Sequence, residues 1–184
     1  METSLWSGTD KFSMKGITLV GMSGVGKSTI GLMLAKSLGF AFVDLDDVIK
    51  EKEGESHVTI LQRVGDQKFL EIEERHALGV QLEKKVFSPG GSIVYSAEAM
   101  EKIKKESMIF YLKISFAELV GRVGGDAESW SRRGIVGLEE KGLEKLFYER
   151  EPLYAAVADH AIDCDELSDR EAVARIMSIF GNDK

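Results

Sequence analysis

Gly21-Met22-Ser23-Gly24-Val25-Gly26-Lys27-Ser28 is the stretch on which the reading of this chain turns. It matches G-x-x-x-x-G-K-[ST] at every fixed position. Just before it, Gly16-Ile17-Thr18-Leu19-Val20 is a short apolar, partly β-branched run that suits a buried strand. Just after it, Ser28 to Leu38 carries apolar residues at helical spacing and stops at Gly39. A glycine-rich loop between a strand and a helix is a phosphate cradle. Glycines let backbone N–H groups curl around phosphate oxygens, and the helix start adds the positive end of its dipole. Lys27 then reaches the β- and γ-phosphates as a point charge, and the Ser28 hydroxyl can ligate Mg²⁺. The nucleotide-binding set is Gly21, Ser23, Gly24, Val25, Gly26, Lys27 and Ser28, with Thr29 beside them, although Thr29 reads more simply as a first-turn helix residue. A chance match in a chain this long is on the order of 1 in 100 before the strand and helix are required.

Outward from the cradle, strands and helices alternate. Phe40 to Leu45 reads as a second strand ending in the carboxylates Asp44, Asp46 and Asp47. Val48 to about Lys84 is helical and charged, with a break near Gly54. Val86-Phe87 and Ile109 to Leu112 read as further buried strands, with a helix from Ala97 to Lys105 between them. Helices follow over Phe116 to Val123, Leu143 to Val157 and Arg170 to Phe180, and Ala161-Ile162-Asp163 reads as a last strand. Parallel strands need crossover helices, so the expectation is an α/β fold: a parallel sheet covered on both faces. Residues 124–142 are rich in Gly, Ser, Glu and Arg with little periodicity, and are the candidate mobile lid. Residues 1–184 are expected to form a single domain, with 1–15 a frayed leader.

The composition narrows the function. With Lys+Arg 24 against Asp+Glu 31, the net charge of −7 lacks the electrostatic footprint of a phosphate-backbone binder, so nucleic acid is not an expected partner. The single cysteine, Cys164, excludes an internal disulfide framework and a multi-cysteine metal site, and reads as core. No apolar run reaches the roughly 18 residues of a membrane span, and the N-terminus is unlike a signal peptide. A soluble, cytoplasmic, monomeric chain with no membrane partner is expected.

Chemistry-bearing residues gather around the cradle. In an open parallel sheet ligands collect at the carboxyl ends of strands, where Asp44-Leu45-Asp46-Asp47 falls. If strand geometry persists, Asp44 and Asp46 share one face. One carboxylate then holds the Mg²⁺ water shell while the other accepts a proton from an attacking hydroxyl. The alternative is that Asp46 or Asp47 caps a helix beginning at Val48. Pro89-Gly90-Gly91-Ser92 follows a strand, so Gly90 and Gly91 can bring backbone N–H groups to a ligand, or simply turn the chain. Arg132 or Arg133, in the candidate lid, can neutralise charge on a transferring phosphoryl group. Arg150, with acidic neighbours on a helix, reads as surface ion pairing. His57, His76 and His160 show no ligand spacing, and Glu71, Glu73 and Glu74 read as a solvated helix face.

Taken in order, these elements resemble the shikimate kinase family, small P-loop kinases acting on a carbocyclic acid. The likeness runs from Ile17 to about Phe180. It rests on Gly21 to Ser28, Phe42-Val43-Asp44-Leu45-Asp46 with Ile49, Gly65-Asp66-Gln67-Lys68-Phe69 with Glu73, Gly90-Gly91, Arg122, Arg133 and Arg150-Glu151-Pro152-Leu153-Tyr154. The resemblance implies a three-layer P-loop kinase fold and ATP as co-substrate. It puts Lys27 and Ser28 at the phosphates and Mg²⁺, with Asp44 near the metal. Asp46 is then the residue that orients or deprotonates a small-molecule hydroxyl acceptor, Arg150 grips the acceptor's carboxylate and Gly91 adds a backbone contact. Arg133 is the lid arginine, and Arg122 lies near the nucleotide. Three positions depart from the family pattern. Phe69-Leu70 stands for Phe-Arg, whose arginine is the family's second carboxylate clamp. Ser92 stands for a third glycine, and Arg133-Gly134-Ile135 for Arg-Pro-Leu. Unless Arg63, Arg75 or Lys68 reaches the same carboxylate, Leu70 argues for another acceptor, such as a sugar acid or hydroxy-amino acid, or for a nucleotide-binding relative without turnover.

Overall fold

The computed structural model describes residues 15–124 and 126–182. Among them, β1 (Gly16–Val20), β2 (Ala41–Asp44), β3 (Lys85–Ser88), β4 (Ser107–Lys113) and β5 (His160–Asp163) form one sheet in the order β2-β3-β1-β4-β5. Every pairing is parallel. β1 is buried along its whole length, as a strand covered on both faces must be.

The alternation of side chains shows how the layers form. A Cβ on Gly31 of α1 (Lys27–Leu38) would lie 3.4 Å from Leu19 Cδ1, so Leu19 faces α1. Leu19 is in register with Phe110, which shares that face. The next residue, Tyr111, points the other way, and its ring centroid lies 5.5 Å from that of Tyr154 on α9 (Leu143–Val157). Helices therefore cover both faces, the three-layer α/β arrangement expected. α10 (Asp169–Asn182) lies against α1, and α5 (Ala97–Glu106) packs on β4. Strand order reverses on either side of β1, so the glycine-rich loop leaves the sheet at its topological switch point.

Several boundaries differ from the sequence expectation. The stretch from Val48 to Lys84 is three helices: α2 (Leu45–Glu53), α3 (His57–Val64) and α4 (Asp66–Gly79). Gly54 and Gly65, both at positive φ, make the breaks. α2 starts at Leu45 rather than Val48, because the Asp44 carboxylate caps it by accepting from Asp46 N at 3.0 Å. Asp46 thus lies on the first turn of a helix, and neither it nor Asp47 is the cap. α6 (Phe116–Val123) is as expected. The candidate lid is not aperiodic: it holds two short helices, α7 (Ala127–Ser131) and α8 (Leu138–Lys141), and buries Trp130, Ile135 and Val136. The leader expected over 1–15 lies, Lys15 apart, outside the described residues. Cys164 is buried, as expected, and its thiol is pushed up to about 11 by that burial. Among the described residues no helix is long and apolar enough to cross a membrane.

Candidate active site

The carboxyl ends of β1, β2 and β3 open into one cavity of about 390 Å³. The glycine-rich loop and the first turn of α1 contribute Ser23, Gly24, Gly26, Lys27, Ser28 and Thr29. Asp44 and Asp46 come from the β2–α2 junction, Gly90 and Gly91 from the turn after β3, Arg150 from α9, and Arg133 from the segment between α7 and α8. Three expected residues stand outside the lining. Gly21 supports Lys27 through its carbonyl, and Val25 is fully buried. Arg122 holds Val25 O at 3.5 Å and the Cys164 carbonyl, behind the loop.

Lys27 is almost fully enclosed, and its ammonium donates to Gly21 O at 2.9 Å and Met22 O at 3.0 Å. Burial pushes its pKa down to about 8, against the pull of Asp46 and Asp44. Ser28 Oγ donates to Asp44 Oδ2 at 2.7 Å, so one carboxylate holds the hydroxyl with one oxygen and caps α2 with the other. A hydroxyl beside a carboxylate is an all-oxygen donor pair, which fits a hard cation such as Mg²⁺ that keeps several waters and phosphate oxygens. Among the described residues no group of three or more His, Cys, Asp or Glu side chains is arranged to hold a metal alone.

Asp46 is half-buried beside this pair. Loss of solvent raises its pKa most, His57 lowers it and Asp44 raises it further. Arg133 settles which arginine faces the cradle: its Cζ lies 3.9 Å from where a Cβ on Gly24 would stand. Arg132 points away, exposed, with Nη2 3.5 Å from Glu128 Oε1.

Arg150 is not a surface ion pair. It is 1% exposed, donating Nε–H to Tyr95 Oη at 3.2 Å and Nη2–H to Val136 O at 2.8 Å. Its acidic neighbour Glu149 is held instead by Lys141 at 2.8 Å and by the Tyr95 hydroxyl at 2.7 Å. That leaves Nη1 beside Gly91, 3.3 Å from where a Cβ there would sit, and directed at the cavity.

Two ionisable lining residues escape the sequence reading. Glu73 is not on a solvated face: it is 2% exposed, and Ser92 Oγ donates to its Oε2 at 2.7 Å. Its Oε1 fills the space over Gly90, where a Cβ would fall 2.0 Å from it. Burial pushes this carboxyl up to about 7. His57, which shows no ligand spacing in the sequence, stands with Nδ1 3.6 Å from Asp46 Oδ2 and donates Nε2–H to Arg133 O at 3.0 Å. Neither Leu70 nor any proposed substitute for it reaches the cavity. Leu70 packs half-buried against the core, Arg63 is bound to Glu55 at 2.8 Å and Arg75 to Glu53 at 2.6 Å, and Lys68 is exposed.

Comparison with known proteins points the same way. Residues 23–180 match the family model described as shikimate kinase. The chain is 34% identical over 170 residues to the shikimate kinase of Thermodesulfovibrio yellowstonii, covering 91% of this chain and 95% of that protein. It is 34% identical over 167 residues to that of Persephonella marina, covering 89% and 98%. Among solved structures, shikimate kinase from Acinetobacter baumannii in complex with shikimate superposes with a TM-score of 0.82 at 27% identity, over 94% of this chain and 96% of the other. The shikimate kinase of Aquifex aeolicus gives 0.72 at 27% identity, over 91% and 97%.

Proposed function

This chain belongs to the shikimate kinase family, and from that premise we propose that it transfers the γ-phosphoryl group of ATP to a hydroxyl of shikimate. The observation that carries the reading is the convergence of Lys27, Asp46, Arg133 and Arg150 on one cavity at the switch point of the sheet. The loop amides and the α1 N-terminus hold the triphosphate, and Lys27 leaves its own loop carbonyls for the β- and γ-phosphates. Arg150 Nη1 takes the acceptor's carboxylate, with the Gly90-Gly91 backbone beside it. Asp46 orients the acceptor hydroxyl and takes its proton as the new O–P bond forms and the bond to the β-phosphate oxygen breaks, releasing ADP. Arg133 neutralises the charge that builds on the transferring group. Mg²⁺, held by Ser28 with Asp44 near it, supplies charge neutralisation at the phosphate oxygens when bound. The protein acts as a cytoplasmic monomer in this reading, and 124–142 moves as a lid.

The test is a coupled ADP-release assay with Mg-ATP, with and without shikimate, beside Lys27→Ala. Shikimate-dependent release in the wild type, absent from a folded Lys27→Ala, is the expected result. Release stimulated by another hydroxy acid or a hydroxy-amino acid, and not by shikimate, would move the assignment to that acceptor. ATP binding with no acceptor phosphorylated would leave a nucleotide-binding relative.

A further inference from the structure

The strap 133–137, between α7 and α8, is tied down through its backbone by three side chains from three helices. His57 Nε2–H donates to Arg133 O at 3.0 Å. Arg150 Nη2–H donates to Val136 O at 2.8 Å. Asp66 Oδ2 accepts from Gly137 N at 3.0 Å. Of the three, His57 alone also reaches the carboxylate read as the acceptor base, with Nδ1 3.6 Å from Asp46 Oδ2. A carbonyl only accepts, so the bond to Arg133 requires a proton on Nε2, and Nδ1, which faces Asp46 Oδ2, pairs with that carboxylate when it carries a proton as well. The strap is shaped to this ring. A Cβ on Gly134, which stands at φ +58°, would fall 2.9 Å from His57 Cδ2 and 2.9 Å from Val58 Cγ2. Glycine at 134 is therefore what lets the strap lie against an imidazole.

We infer that His57 is a positioning residue for phosphoryl transfer: one edge of its ring orients the Asp46 carboxylate while the other holds the 133–137 strap, so that Asp46 and Arg133 come to the reaction as one unit. The inference rests on the kinase reading above. Asp46 belongs to the acceptor side and Arg133 to the lid, and each is useful only when the other is in place. A single rigid ring between them makes strap closure and base orientation one event, where two separate contacts would allow either without the other.

The test compares His57→Leu, His57→Asn, His57→Gln and Asp66→Ala by steady-state kinetics with Mg-ATP and shikimate and by hydrogen exchange at the strap amides. Asn places its amide nitrogen near the Nδ1 position and Gln near the Nε2 position, so each keeps one of the two contacts. His57→Leu is expected to lose about ten-fold in kcat with KM for ATP within about two-fold, and to exchange faster at 133–137. His57→Gln should recover strap protection but not full kcat. Asp66→Ala, which loosens the strap without touching Asp46, should exchange faster yet keep kcat closer to wild type than His57→Leu does. A folded His57→Leu with wild-type kcat, or one whose kcat falls no further than that of Asp66→Ala at equal strap exchange, would overturn the inference. Should His57→Leu not fold, the Asn and Gln variants carry the same comparison: equal kcat and equal exchange in both would overturn it. A wild type inactive on every acceptor would sink the kinase reading instead, and unchanged strap exchange in the variants would still dismiss the His57 contact.

Discussion

Glu73 and Lys27 are ionisable groups that the fold holds away from water, with opposite consequences. The Glu73 carboxyl stands at about 7, above its ordinary 4.5, because burial disfavours its charge. A carboxyl with a raised pKa binds its proton more tightly in the folded state, so the stability it contributes is complete below pH 4.5 and is lost as pH rises through 7. Glu73→Gln keeps an oxygen for Ser92 Oγ and removes the titration. The variant should match the wild type near pH 4.5 and exceed it by about 3 kcal/mol at pH 8, read by urea unfolding of both proteins at both pH values. A gap that does not change with pH would refute this origin. Lys27, held down at about 8, is partly neutral at pH 8, and bound triphosphate favours its charged form. Nucleotide binding at pH 8 should therefore take up roughly half a proton, rising toward one at pH 9, measured by titration calorimetry in buffers of different ionisation enthalpy. Uptake that stays flat with pH would mean that Lys27 is already fully charged. The cradle residues are legible from the sequence because their spacing is their chemistry. Glu73, His57 and Arg150 are hidden among ordinary charged residues, yet they share a signal. Each lies on the apolar stripe of its helix: Glu73 between Phe69 and Ala77, His57 above Ile60, Leu61 and Val64, and Arg150 between Phe147 and Tyr154. A polar side chain at such a position is carried inward with its neighbours.

The helices behave differently according to what ends them. Strand-to-helix alternation can be read directly, because the buried runs are apolar and the crossovers amphipathic. The start of α2 cannot, since it depends on whether the Asp44 carboxylate turns back on Asp46 N or extends onward with the strand, a choice made by the single contact at 3.0 Å. The break between α3 and α4 is likewise set by one residue, Gly65 at φ +79°. It aims α4 so that Phe69 and Glu73 meet the cavity while Leu70 rests on the core beside it. Leu70 and Glu73 are three residues apart, hence neighbours on the helix surface. Leu70→Arg would place a guanidinium next to the Glu73 carboxyl and within reach of an acceptor's carboxylate. KM for shikimate should fall about ten- to a hundred-fold, the effect of one added charge-assisted hydrogen bond. No gain in a folded variant would mean that the acceptor end is shaped for a different molecule.

At the scale of the molecule, the sheet order puts the phosphate loop between strands leading to both halves of the site, while the strap that crosses the cavity belongs to the core as well. Trp130 is buried against the same hydrophobic cluster as the sheet, together with Ile135 and Val136. This double membership is invisible in a stretch so poor in periodicity, because two of the side chains that tie its backbone down, His57 and Asp66, come from α3 and α4, remote in sequence. It also has a kinetic consequence. With the strap tied at Arg133, Val136 and Gly137, and Arg133 lying over Gly24, a triphosphate that settles into the cradle is expected to part those ties. Ligand entry then includes a conformational step that ligand concentration cannot accelerate. Trp130 reports it, provided Trp6, the chain's other tryptophan, is replaced by Phe. In stopped-flow mixing with Mg-ATP, the observed rate of the Trp130 fluorescence change should rise and then level off as ATP increases. Asp66→Ala, which removes one tie, should raise the plateau. A rate that climbs linearly into the millimolar range in both proteins would show that nucleotide enters past the strap without moving it.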